Sequence, residues 1–191
     1  FISRNGIMGF QNKSQEIAEI VNGILTGNPD HIVSEIIIDS RHLGFSEGLA
    51  FIAITGKNHD GHQYIDNLYR KGIRTFIVER LPENKENYSD SAFIVTGNSV
   101  RALQLLASHS RKSFKAPVIA VTGSAGKTIV KEWIADVIGL TMPVVRSPKS
   151  YNSQVGVPLS VLRIDRKYKL GIFEAGISHP GEMDNLRRVI E

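Results

Sequence analysis

Pro117-Val118-Ile119-Ala120-Val121-Thr122-Gly123-Ser124-Ala125-Gly126-Lys127-Thr128 decides how the second half of the chain folds. The run 117–122 is apolar, too short for a helix and bounded by proline and glycine, so it reads as a fully buried parallel strand. Apolar spacing predicts a helix over about 127–138. Glycines between the two let backbone N–H groups turn inward around an anion, and the helix start adds free donors and the positive end of its dipole. Lys127 suits the β/γ-phosphates of a nucleotide and Thr128 a magnesium ion. Val121 stands where the strict phosphate-loop pattern has its first glycine. A plain glycine-rich turn with a surface lysine is the competing reading, and the succession of strand, loop, Lys-Thr and helix argues against it.

Downstream, short strands are predicted at 144–145 and 170–173, so strand and helix alternate as in a doubly wound parallel-sheet α/β domain. Upstream, Ile17, Ile20, Val21, Ile24 and Leu25 recur at helical spacing from Ser14, and Gly27-Asn28-Pro29 stops them: one amphipathic helix is predicted. Strands are predicted at 36–38, 49–54, 75–78 and 93–95, with helices over 62–71 and 99–112. The first half therefore reads as a small mixed α/β domain, 1–115, and the second as 116–191, with the boundary near 114–116, after the polar Arg111-Lys112-Ser113. Only about 75 residues lie beyond that boundary, whereas a nucleotide-binding sheet of this type needs well over about 100, so the second domain is expected to be incomplete. Residues 1–7, ahead of the first methionine Met8, fit no element and are left out of the fold reading as candidates for additions to the natural sequence.

The composition is that of an ordinary globular protein, with 41% hydrophobic and 22% charged residues. No stretch approaches the roughly 18 uninterrupted apolar residues of a membrane span, and no signal-peptide pattern opens the chain. Cysteine is absent, which excludes disulfides and thiolate metal sites and agrees with a reducing compartment; cytoplasm is the expectation. The net charge of +4 is scattered, without a basic run or interleaved aromatics, so no nucleic-acid partner is called for.

The stretch from Thr122 to Thr128 resembles the T-G-x-x-G-K-[ST] loop of the Mur ligases. Asn152-Ser153-Gln154-Val155-Gly156-Val157-Pro158 is similar to that family's N-x-x-x-G-x-P segment, and Glu174-Ala175-Gly176 followed by Pro180-Gly181-Glu182-Met183 to its E-x-G…P-G-E-[IM] segment. Asp39-Ser40-Arg41 and Gly56-Lys57-Asn58-His59-Asp60-Gly61-His62 resemble its D-S-R and G-x-x-x-D-G-H elements. Within the family, the wording from Glu174 to Glu182 is most similar to the branch that adds D-alanyl-D-alanine to a UDP-N-acetylmuramoyl-tripeptide. The 147–154 stretch looks like the version fused to an alanine racemase.

The resemblance implies an ATP-dependent amide ligase working through an acyl phosphate. ATP would lie on Gly123, Ser124, Ala125, Gly126, Lys127 and Thr128, with Lys127 and Glu174 catalytic and Thr128 and Glu174 holding Mg²⁺. The UDP-linked substrate would meet Ser40, Arg41, Gly56, Asn58, His59, Asp60, Gly61, His62 and Asn152. The modified lysine, metal histidine, adenine contacts and C-terminal domain of the family are missing, so catalysis by this stretch alone is not expected. A metal on His59 and His62 is the weaker reading, since two histidines three apart without further ligands rarely make a site. His179 reads as solvent-facing or near substrate. A P-loop phosphotransferase or GTPase would share Lys127 and Thr128 but needs neither Asp39-Ser40-Arg41 nor the 152–158 segment; a non-catalytic nucleotide or UDP-sugar module is the third reading.

Overall fold

The computed structural model describes residues 10–39, 46–56, 59–177 and 179–191. Two compact units are present, one running Gln11–Leu103 and one containing Gln104–Glu191.

In the first unit the order is β1 (Asn12–Lys13), α1 (Ser14–Val21), β2 (Ile24–Gly27), β3 (Ile32–Val33), β4 (Glu35–Ile37), β5 (Leu49–Ile52), β6 (Thr55–Gly56), β7 (His59–Asp60), a 3-10 turn at Gly61–Tyr64, α2 (Ile65–Arg70), β8 (Thr75–Val78) and β9 (Ala92–Val95). Five strands form one sheet in the order β2-β9-β8-β5-β4, parallel except for β2. Register aligns Phe51, Phe76 and Phe93 as one rung and Ile52, Ile77 and Ile94 as the next. Since neighbouring residues point to opposite faces, the phenylalanines pack beneath Ile65 and Leu68 of α2 while the isoleucines serve the other face. A sheet covered on both sides explains why all four residues of β8 are buried.

The helix predicted from Ser14 through Leu25 is shorter than its periodicity suggests. Asn22 takes a left-handed conformation (φ 54°) and its N–H bonds back to Ala18 and Glu19, while Gly23 N–H reaches Ala18 O at 2.8 Å. That closure ends α1 at Val21. Ile24 and Leu25 instead join β2, antiparallel to β9. The predicted 62–71 helix begins as the 3-10 turn and becomes α-helical only at Ile65.

The helix α3 (Ser99–Ser113) contains the division between units. Glu79 accepts the Ser99 N–H and hydroxyl, both at 2.8 Å, at its start. Its last turns supply Ala107, with Phe114 just beyond, to the apolar cluster of the second unit. The compact units thus part upstream of 114–116, because Ala107 and Phe114 pack into the core of the second unit.

The second unit continues with β10 (Val118–Val121), α4 (Lys127–Gly139), β11 (Val144–Arg146), α5 (Gly156–Val161), β12 (Leu170–Glu174) and α6 (Glu182–Ile190). Its three strands are parallel, in the order β10-β12-β11. α4 packs Ala135, Ile134 and Ile138 against Leu170 and Ile172. On the other face Val157, Val161, Leu186 and Val189 surround Phe173 and Val145. The α/β alternation and parallel pairing are as expected. β10, however, is not fully buried: it is an outer strand of this sheet, and Ile119 is 36% exposed. β12, with a neighbour on each side, is the strand buried along its whole length.

Candidate phosphate-loop site

β10 and β12 run parallel with Val121 opposite Glu174, so the loop leaving β10 and the carboxylate closing β12 emerge side by side at the C-terminal edge of the sheet. Between Val121 and α4 the chain turns on Gly123 (φ 140°) and Gly126 (φ 76°), conformations that a side chain disfavours. Gly126 is the N-cap of α4 and no side chain caps it, which leaves the first-turn N–H groups to an anion. Lys127 Nζ folds back to Gly123 O at 2.7 Å. Thr128, one residue into the helix, points its hydroxyl at Glu174 Oε2, 2.9 Å away.

Glu174 is 1% exposed, and buried carboxylates need partners. Its second oxygen accepts from Asn152 Nδ2 at 2.8 Å, and its N–H donates to Ser147 Oγ at 3.1 Å. Asn152 O in turn accepts the Gly176 N–H at 2.8 Å, tying the 152–158 segment to the residues after β12. Thr122, Gly123, Ser124, Lys127, Asn152 and Gly176 lie along a cleft of roughly 680 Å³. That is the size range of small-ligand pockets.

The predicted residues Gly123, Ser124, Ala125, Gly126, Lys127, Thr128, Asn152 and Glu174 therefore converge. Asn152, expected among substrate contacts, stands on Glu174 beside the phosphate loop. His179 is exposed, and its N–H donates to the Glu182 carboxylate at 3.0 Å. Sequence reasoning missed Lys131 and Ser147. Lys131 is fully buried, with Nζ 2.9 Å from Ser147 O, bonded to Lys149 O, and 3.8 Å from Glu174 Oε2. The available signal was positional: Lys131 lies four residues before Ala135 on the stripe of α4 that faces the sheet.

The Gly56–His62 group belongs to the first unit. Ser40, Arg41 and Asn58 lie outside the described residues. β6 and β7 form a short hairpin, Gly56 opposite His59, and the His59 and Tyr64 rings stack at 5.5 Å. Gly61 sits so close to the backbone just after β5 that a β-carbon there would come within 2.8 Å of Ala53 Cα and Ile54 N. His62 is turned inward. Its Nε2 accepts the Glu79 N–H at 3.0 Å, so Nδ1 carries the proton that it donates to Asp60 Oδ1 at 2.6 Å. The His62 N–H, then the His62 ring and Arg80, hold the Asp60 carboxyl down at about 2, against the upward pull of burial. Glu79 is pushed up by burial, but the Ser99 N–H and hydroxyl outweigh this and keep it below the usual carboxylate range. Among the described residues of this group His59 and Gly56 are exposed, while His62 and Asp60 brace one another.

Strand, glycine turn, Lys-Thr at a helix start and a carboxylate on the neighbouring strand define a phosphate-loop α/β protein. The Mur ligase middle domain matches residues 121–191, and the Mur ligase family, catalytic domain, matches residues 32–125. The chain is 32% identical over 179 residues to the UDP-N-acetylmuramoyl-tripeptide--D-alanyl-D-alanine ligase of Bacillus subtilis (strain 168), covering 92% of this chain and 38% of that protein. With the ligase of the same name from Treponema pallidum (strain Nichols) it shares 36% identity over 147 residues, 73% of this chain and 32% of the relative. Among solved structures, MurF from Acinetobacter baumannii superposes with a TM-score of 0.85 at 27% identity, over 96% of this chain and 40% of that one. MurF ligase from Thermotoga maritima in complex with ADP gives 0.70 at 32% identity, over 81% and 35%.

The chain belongs to the Mur ligase family. It spans roughly a third of the length of the curated relatives it matches.

Proposed function

We propose that this chain carries the UDP-substrate and ATP-binding regions of an amide ligase that joins D-alanyl-D-alanine to a UDP-N-acetylmuramoyl-tripeptide. The observation that carries the reading is the meeting of Thr128, Asn152 and Glu174 beside the Lys127 loop. The names of the relatives supply the substrates, and the ADP-bound neighbour supports a nucleotide at the loop. Residues 116–191 belong to the ATP-binding region, and the first unit holds the UDP-linked substrate through the Gly56–His62 group.

In that reaction a carboxylate oxygen of the tripeptide takes the γ-phosphoryl group and ADP departs. The D-alanyl-D-alanine amine then attacks the carbonyl, phosphate leaves with the bonding pair, and the amine proton is lost as the amide forms. Backbone N–H groups of 123–128 hold the phosphates and Lys127 balances the charge that spreads over the transferring group. A hard divalent cation fits the donors present: a hydroxyl and a carboxylate converge at 2.9 Å with no soft ligand nearby. Among the described residues no three His, Cys, Asp or Glu cluster, so such a cation would be held by one or two protein oxygens together with the phosphates, as Mg²⁺ is. Bound there, Mg²⁺ would neutralise the phosphate oxygens. Thr128 and Glu174 would hold it.

No helix among the described residues is long and apolar enough to cross a membrane. A nucleotide-linked substrate and ATP support a cytoplasmic site for the proposed reaction. The test is incubation of the full-length enzyme with ATP, the UDP-linked tripeptide and D-alanyl-D-alanine, following phosphate release and product mass. Release that requires both substrates, with a product heavier by the dipeptide less water, is the expected result. A phosphorylated end product, or ligation of a different amino acid only, would reject this assignment.

A further inference from the structure

Lys131 is the largest charged side chain buried completely among the described residues, and no step of the proposed reaction uses it. Burying an ammonium group costs free energy, and a well-packed apolar residue of similar size is commonly as stable or more so. The stripe it occupies, with Ala135 behind it, would accept one. Its ammonium is surrounded by oxygens. Nζ reaches Ser147 O at 2.9 Å, bonds Lys149 O, pairs with Glu132 Oε1 at 2.9 Å and lies 3.8 Å from Glu174 Oε2. Lys149 is left-handed, with φ 48°, a conformation unfavourable for a lysine unless its surroundings fix it. Ser147 closes the circuit: its hydroxyl accepts from Glu174 N–H and its own N–H donates to Ile172 O at 3.1 Å.

We propose that Lys131 is a positioning residue: it pins the 147–149 turn to α4 one helical turn past Thr128, and so delivers Asn152 and the Glu174 carboxylate to the phosphate loop. The proposal rests on the magnesium-nucleotide reading of this site. The Lys131 ammonium is taken up by Ser147 O, Lys149 O and Glu132, so its part is indirect. It acts through the two side chains that flank Glu174, as groups behind metal ligands do elsewhere.

Calorimetric titration of the protein with ADP, with and without Mg²⁺, tests this. Lys131→Met should fold, as judged by circular dichroism, and bind ADP without magnesium as the parent does. It should lose about tenfold or more of the affinity gained with magnesium. Lys131→Arg, which restores the cation and its donors, should recover part of that gain. A lysine that merely cements the core would lower the melting temperature and leave the magnesium-dependent gain intact, and that result overturns the proposal. Should Lys131→Met fail to fold, Glu132→Gln loosens the same ammonium from a partly exposed position. It should move the magnesium midpoint upward, and an unmoved midpoint overturns the proposal equally. Parent protein that fails to bind ADP would refute the nucleotide reading itself, and parent protein whose ADP affinity is the same with and without magnesium would refute the magnesium reading, before any variant is compared.

Discussion

The Thr128 hydroxyl donates to Glu174 Oε2 at 2.9 Å, joining the first turn of α4 to the end of β12 across 46 positions of sequence. Asn152 holds the other oxygen, so the carboxylate is braced from both sides. Glu174→Gln keeps this brace, since an amide can accept from Asn152 and donate to Thr128, but removes the negative charge that a hard cation requires. ATP binding should persist, turnover should fall, and the Mg²⁺ requirement should move to higher concentration. Wild-type turnover with an unchanged magnesium titration would make Glu174 a structural residue.

Lys127 is the one cation of the glycine loop itself, resting 2.7 Å from Gly123 O. Lys127→Ala should reduce ATP-dependent ligation by the full-length enzyme on the order of 10³-fold, because the charge acts on the transferring phosphoryl group. Ligation within about tenfold of the parent would contradict that role.

Gly61 is packed against the backbone of Ala53 and Ile54, at 2.8 Å for an added β-carbon, and backbone cannot swing aside. Gly61→Ala should cost about 1–3 kcal/mol, as overpacking does, and lower the melting temperature by about 2–4 °C for each kcal/mol. Gly97→Ala is the control, with nothing within 4 Å of its added carbon. Equal melting temperatures for the two variants would remove the packing argument. If the 56–62 loop meets the UDP-linked substrate, Gly61→Ala should also weaken its calorimetric binding.

Asp60 links pH to the same loop. Its carboxyl is lowered from 3.8 to about 2 in the folded chain, chiefly by the His62 N–H. A group depressed on folding stabilises the fold above its unfolded value and loses that contribution as pH falls through the folded one. The parent should therefore lose stability between pH about 4 and about 2 more steeply than Asp60→Asn. Parallel denaturation curves for the two proteins over that window would show that the carboxylate contributes nothing.

Much of this was legible in the chain. A strand, glycine turn and helix within a dozen residues are local events, governed by backbone freedom at Gly123 and Gly126 and by apolar spacing in α4. The strands β8 and β9 and the helix α3 were readable for the same reason. Periodicity failed at Ile24 and Leu25, because the left-handed Asn22 ended α1 and pairing with β9 took the next residues. Neither event has a signature in apolar spacing.

What only the tertiary structure decided is which distant residues meet. The order β10-β12-β11 puts Glu174, rather than the end of β11, beside the phosphate loop, and leaves β10 on the outside. Lys131 carries no mark in the sequence and is singled out only by the 147–149 carbonyls that close over it, and His62, expected among the substrate contacts, has both ring nitrogens taken by Glu79 and Asp60. The residue types and their local conformations follow from short-range sterics and propensity, which the sequence carries by itself. Long-range strand pairing, and the need to give every buried charge a partner, selected the contacts among them.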